Sequence, residues 1–296
     1  MPQQALYKVS LIFFLIVAVI GTLLRSNFVI SLPLEFEHLV HAHSHVAFQG
    51  WIYTLLFLFL LHFFLSEEQV RKGRYFLQFY LTVTTMIGVL ISFSMQGYGL
   101  YSIVFSTLFQ FLNYWFIFAF LRDSKVISNE SVSARLIKVG LFLGLLSTIV
   151  PYVIGVLSAK GLKGTEIYDS AVYTFLHLQY NGWFLFVILG LLFRFLSKKS
   201  ISFNRTAANR FFWLFSISVL PAISLSFLGM SFSTIAAPFA YLSAVLQLIS
   251  LVFFLQSIYP VLKNTSGLNP WFRVFLLCFI GCFSIKLILQ SLSVLP

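Results

Sequence analysis

His45-Val46-Ala47-Phe48-Gln49-Gly50-Trp51 returns later in the chain as His177-Leu178-Gln179-Tyr180-Asn181-Gly182-Trp183. Both stretches read histidine, two variable residues, an aromatic, a side-chain amide, glycine and tryptophan. The offset, 177 − 45, is 132 residues, and the match runs on weakly to Phe63 and Phe195. Each copy lies inside a long apolar run. Roughly 20 apolar residues cross a bilayer as a helix, and the chain predicts nine such runs, over 9–24, 39–65, 75–95, 99–121, 136–157, 171–196, 210–229, 235–259 and 271–293. The offset spans four runs, an even number, so the two copies point the same way. The expected fold is an all-α polytopic membrane protein, a single transmembrane domain over 1–296. Repeat one covers 9–121, a parallel repeat two covers 136–259, and an extra helix follows over 271–293.

Composition agrees. Of 296 residues, 59% are hydrophobic and 9% are charged, where a soluble domain carries roughly 25% charged residues. Such a chain cannot cover itself with a polar surface, which excludes a water-soluble enzyme, a nucleic-acid module and a disordered chain. The net charge of +11 would suit nucleic acid only as a contiguous basic face, and the sequence has none. With the N-terminus inside, 15 of the 19 Lys and Arg residues fall on the cytoplasmic side. Arg25, Lys160, Lys163 and Lys286 remain outside, Lys286 close enough to its helix end to snorkel. Orientation and anionic lipid account for the charge. The expected location is the cytoplasmic (inner) membrane, multi-pass, with the bilayer as first partner. No small-residue cleavage site follows Leu24, so the first run is read as a helix and not as a signal peptide. All eight Asp and Glu residues fall in loops or at helix ends. Proton pumping, which needs a carboxylate near the membrane centre, is therefore not expected.

The second run opens on His38-Leu-Val-His41-Ala-His43-Ser-His45. At about 100° per residue, positions 38, 41 and 45 fall within a sector of roughly 60°, and 43 points away. His41 and His45 are neighbours one turn apart, able to share a metal. A histidine in hydrocarbon costs free energy until it finds a partner, so four in eight residues point to ligation. His62 lies about 25 Å further along the helix and belongs to no such site. His45 and His177, equivalent in the two repeats and both near the outer face, can supply two axial nitrogens to one haem iron. Gly50 and Gly182 remove a side chain where a porphyrin or a neighbouring helix approaches closely. Gln49 and Asn181 can orient an imidazole N–H or a propionate, and Trp51 and Trp183 wall the pocket or sit at the lipid interface. Cys278 and Cys282, with Gly140 and Gly144, read as packing residues; Pro151 and Pro221 read as kinks.

Four-helix repeats with a histidine near the outer end of each second helix resemble the catalytic subunit of the haem–copper oxidase superfamily. That superfamily includes the nitric oxide reductases and a nitric-oxide-response membrane protein that binds haem and copper. The resemblance covers eight helices by topology and the two heptapeptides by motif. It implies that His41, His43 or His45 stands where the family's low-spin haem ligand stands, and that His177 stands on the helix that begins the copper site. The departures limit what it implies. The chain has no tenth helix, no His-His pair between Phe211 and Phe227, and no proton-channel carboxylates, so the complete binuclear centre is not expected.

The first reading is therefore a protein binding one b-type haem through His45 and His177, with His41 as substitute for His45. It would serve respiratory electron transfer with quinol or a respiratory-complex subunit, or the handling of NO or O2. The second reading is copper, bound by His41, His45 and His177 with His38 and His43 as further donors, in a metal-handling or assembly factor. The third is a structural subunit or small-molecule transporter without metal. None of the three commits the chain to catalysis.

Overall fold

The structure is a computed structural model, and it describes residues 3–126, 130–263 and 269–294. All of its secondary structure is helical. Eight helices are long and apolar enough to cross a membrane, and a ninth crossing follows if the bent pair Arg205–Val219 and Pro221–Phe227 counts as one. This is the architecture of a multi-pass membrane protein, and its helices coincide with the apolar runs. The chain divides into two compact units, Met1–Ser128 and Asn129–Pro296.

The N-terminal unit holds α1 (Gln3–Ser26), α2 (Phe36–Phe64), the short α3 (Glu67–Lys72), α4 (Tyr75–Gln96) and α5 (Leu100–Asp123). Lipid tails are as apolar as leucine, so helix association inside a bilayer rests on close packing and hydrogen bonds rather than on the hydrophobic effect. Both are present. Ser10 and Thr54 share a hydroxyl hydrogen bond of 2.8 Å between α1 and α2. Rings from α2, α4 and α5 interlock, with Phe57 centred 4.2 Å from Phe116 and Tyr53 meeting Phe109 edge-on at 4.9 Å. At one end of α5 the Asp123 carboxylate accepts from the Tyr75 hydroxyl and from Arg122, and its carbonyl accepts from Gln69. Ser66 caps α3 reciprocally with Gln69.

The C-terminal unit holds α6 (Val132–Ala159), α7 (Glu166–Lys198), α8 (Arg205–Val219), α9 (Ser233–Lys263) and α10 (Pro270–Leu292). Pro151 follows an interruption in α6 at Thr148 and Ile149. Pro221 opens a 3₁₀ turn that leaves α8 at 45°. Proline supplies no N–H, so the α ladder fails at these two points. Phenylalanines 186, 193, 211, 215, 254 and 283 are buried together at the core of this unit. Cys278 and Cys282 are exposed and free on α10, so the reading of them as packing residues is not met.

Small residues let α6 and α7 approach. Ser133 donates to the Gly190 carbonyl at 2.7 Å, and a Cβ on Gly144 would lie 2.4 Å from Cδ1 of the buried Trp183. An indole cannot step aside as a flexible chain end can. Gly144→Ala is therefore expected to destabilise the protein by about 1–3 kcal/mol, read as a lower thermal midpoint in detergent. Nothing lies within 4 Å of a Cβ on Gly155, so Gly155→Ala should leave the midpoint unchanged or raise it.

Candidate functional site

The two heptapeptides share more than spelling. In α2 the residues Val46–Ile52 form a π-helical turn, and in α7 the residues Leu178–Phe184 form another, each starting directly after the motif histidine. A π turn places an extra residue in the helical ladder and recurs at functional sites. The glycines meet the first helix of their own unit: a Cβ on Gly50 would come within 3.1 Å of Phe13 on α1, and one on Gly182 within 2.9 Å of Leu143 on α6. The tryptophans face the same way. Trp51 packs on Phe14 of α1 at 4.4 Å, and Trp183 lies against Gly144 of α6. Glycine and tryptophan thus dock each π turn onto a neighbouring helix, where the sequence reading puts the tryptophans at a pocket wall or the lipid interface.

The histidine face of α2 forms around this anchor. His38, His41 and His45 meet the end of α4 and the turn after it, while His43 points to α1, as helical spacing requires. The His45 ring stacks on Phe93 with centroids 4.3 Å apart and planes 19° apart. Its Nε2 lies 3.1 Å from the Tyr98 hydroxyl. His41 meets Tyr98 edge-on at 4.5 Å, and its Nε2 stands 3.6 Å from Glu37. His38 covers Gly97, whose φ of 58° and lack of a Cβ both serve the turn: a Cβ there would lie 2.6 Å from the imidazole. His43 sits over Gly21 of α1 in the same manner, 2.9 Å from where a Cβ would be. The Nδ1 atoms of His38 and His43 are buried without a hydrogen-bond partner, while the Gln49 side chain is a hydrogen-bond partner of the His45 ring. Buried polar atoms are normally paired, so two orphaned imidazole nitrogens within two turns of one helix are notable. His62 is exposed beside Phe63, remote from this face.

In the C-terminal unit His177 is 6% exposed and fully engaged. Its Nε2–H donates to the Val219 carbonyl at 2.8 Å, and its Nδ1 accepts from the Asn181 side chain at 3.1 Å. The acceptor has a local cause. Past Pro221 the Ile223 amide bonds back to Leu220 in a 3₁₀ contact, which leaves the Val219 carbonyl without its usual helical partner. Lys286 on α10 is near enough for its charge to act on His177, with its ammonium on Gln290 at 2.9 Å.

These contacts test the donor sets. A haem iron needs an imidazole nitrogen that the protein has not already used. On α2 the requirement is met only once Nε2 of His45 gives up the Tyr98 hydroxyl, with the Phe93 ring standing beside the imidazole. His177 as placed does not meet it. The copper set of His41, His45 and His177 draws on both units, and among the described residues no three His, Cys, Asp or Glu side chains are grouped to hold a metal. Phe93, Tyr98 and the Val219 carbonyl escape the sequence reading. The glycines flanking Tyr98 and the proline after Val219 are the signals that lie nearest to them. Comparison of the chain with protein-family models, curated proteins and solved structures returns no match.

Proposed function

We propose that this protein binds one b-type haem at the histidine face of α2 and serves respiratory electron transfer or the handling of NO or O2. The observation that carries the reading is His45, one nitrogen on an exchangeable hydroxyl, set against Phe93 and Tyr98 with His41 one turn away. A bound haem would supply one-electron cycling or an open site for a diatomic ligand. The protein's own part is to hold the imidazole plane and to wall the ring with aromatic faces. His45 is the preferred ligand and His41 its substitute. His177 would join the residues that hold the group only by releasing Val219 or Asn181, so α7 contributes no ligand in this reading.

The finer topology belongs to the same proposal: two parallel four-helix repeats plus one helix, N-terminus inside, histidine face towards the outer leaflet of the inner membrane. The excess of Lys and Arg in one set of loops supports it, and so does the π turn that both repeats place after the motif histidine. A divergent relationship to the haem–copper oxidase catalytic subunit fits these features. The orphaned Nδ1 atoms leave His38 and His43 as the donors available to copper. No observation gathers them with a third ligand, so haem is preferred.

The test is an ultraviolet–visible spectrum of the detergent-purified chain, oxidised and dithionite-reduced, with iron and copper counted in the same sample. A Soret band with reduced α and β bands and stoichiometric iron is the expected result. A featureless spectrum after expression with haem supplied sinks the proposal, and stoichiometric copper without iron replaces it with the metal-handling reading.

A further inference from the structure

A cavity of about 300 Å³ opens in the C-terminal unit, where the start of α6, the end of α7 and the start of α8 come together. Ser131, Ser133, Ser197, Asn209 and Arg205 line its polar side, the Ser133 and Ser197 hydroxyls donating to the Gly190 and Phe193 carbonyls. Val132, Phe193 and Phe203 supply an apolar part. A guanidinium and an amide beside an apolar side suit a ligand that is itself polar at one end and greasy at the other.

The charge balance indicates its sign. Glu130 lies at the edge, but its carboxylate is taken by the Lys138 ammonium at 3.2 Å. Arg205 has no carboxylate within ion-pair reach among the described residues. Behind Asn209 stands Arg135, which donates one guanidinium N–H to the Asn209 side-chain oxygen. Its Nε is buried without a partner, and its guanidinium lies 4.7 Å from the centre of the Phe212 ring. Two helices begin at the rim, α6 capped by Ser131 and α8 capped by Asn204, and their N-terminal ends add positive potential.

The depth is also marked. Trp213, one helical turn from Asn209, is 57% exposed, and the adjoining Lys198, Lys199 and Arg210 are exposed as well. Amphipathic rings and long cations at one level mark the headgroup region of a bilayer. Basic pockets between membrane helices on the cytoplasmic side bind anionic headgroups.

We propose that this cavity seats the phosphodiester headgroup of an anionic phospholipid. Arg205 is its charged donor, the Asn209 side-chain N–H donates beside it, and Arg135 behind Asn209 adds positive potential. The inference stands apart from the haem proposal, since it uses no residue of the histidine face.

Native mass spectrometry of the full-length chain in detergent tests it, with phosphatidylglycerol, phosphatidylcholine and inorganic phosphate offered separately and in competition. The expected result is retention of one phosphatidylglycerol in preference to phosphatidylcholine, with no displacement by millimolar phosphate. Removing one cation should weaken retention about fivefold, so Arg205→Gln weakens it by that factor while Lys160→Gln, in a remote loop, leaves it unchanged. Ser197→Leu fills the cavity with every charge kept and should lose the lipid. Circular dichroism confirms that each variant is folded. Equal retention of the two lipids, unchanged binding by Arg205→Gln and Ser197→Leu, or displacement by phosphate overturns the proposal, the last assigning the cavity to a free anion.

Discussion

Replacing His45 by alanine should lower haem per protein by at least about tenfold, the low end of what disturbing a metal site costs, and remove the reduced α band. Three features put His45 ahead of the other α2 histidines. Its ring plane is fixed by stacking on Phe93, and its Nε2 faces a hydroxyl that can yield. The π turn that begins at the next residue docks the helix onto α1 through Gly50 and Trp51. A ligand held this way loses little freedom when it binds, which is where a preorganised site gains affinity. His41→Ala should retain the haem. His38→Ala and His43→Ala should retain it as well, because each of those rings covers a glycine of a neighbouring segment rather than the aromatic wall. Tyr98→Phe is the informative companion, since it keeps the wall and frees Nε2. It should retain haem with a shifted reduction potential, because a hydrogen-bond donor beside the site has gone. Full haem content in His45→Ala would refute the assignment, and loss in His41→Ala instead would transfer it to His41.

Much of the fold was legible because the bilayer imposes a length and an apolar composition on each crossing, which simple counting recovers. At 210–229 hydropathy alone counts one unbroken run, and it is Pro221, read as a kink, that marks the 45° bend, because its nitrogen has no amide hydrogen to donate. The face of α2 was legible too, since helical spacing alone sets His38, His41 and His45 apart from His43. Their partners were not. Phe93 and Tyr98 are two ordinary aromatics in a chain with 37 Phe and 13 Tyr, and nothing in composition distinguishes the two that touch an imidazole. The equivalence of His45 and His177 shows the limit most clearly. The heptapeptides fold alike, but the atom facing Nε2 of each imidazole comes from another segment of the chain. A tyrosine hydroxyl stands there in one unit and a backbone carbonyl in the other. A repeat in sequence therefore reports a shared local fold and leaves the role of its histidine open.

His177→Leu should destabilise the protein by about 2–4 kcal/mol, because it strands a buried backbone carbonyl and a side-chain amide together. The carbonyl of Val219 has no helical amide to return to, since Ile223 is already bonded to Leu220 beyond the proline. The Asn181 amide loses the ring nitrogen that accepts from it. His177→Gln is the conservative control: a glutamine amide can donate to Val219 and should recover part of the loss. The comparison that separates a lock from a ligand is thermal unfolding of protein expressed under haem limitation beside protein expressed with haem. A structural lock lowers the midpoint of both preparations by the same amount and leaves the spectrum of the haem-loaded protein intact. A ligand stabilises only the state that carries its metal, as binding to the folded form must, so its loss lowers the haem-loaded midpoint alone and changes the spectrum. The hydrogen bonds around His177 lead us to expect the first pattern. The second would show that this imidazole gives up the Val219 carbonyl for iron and would restore the pairing of His45 with His177.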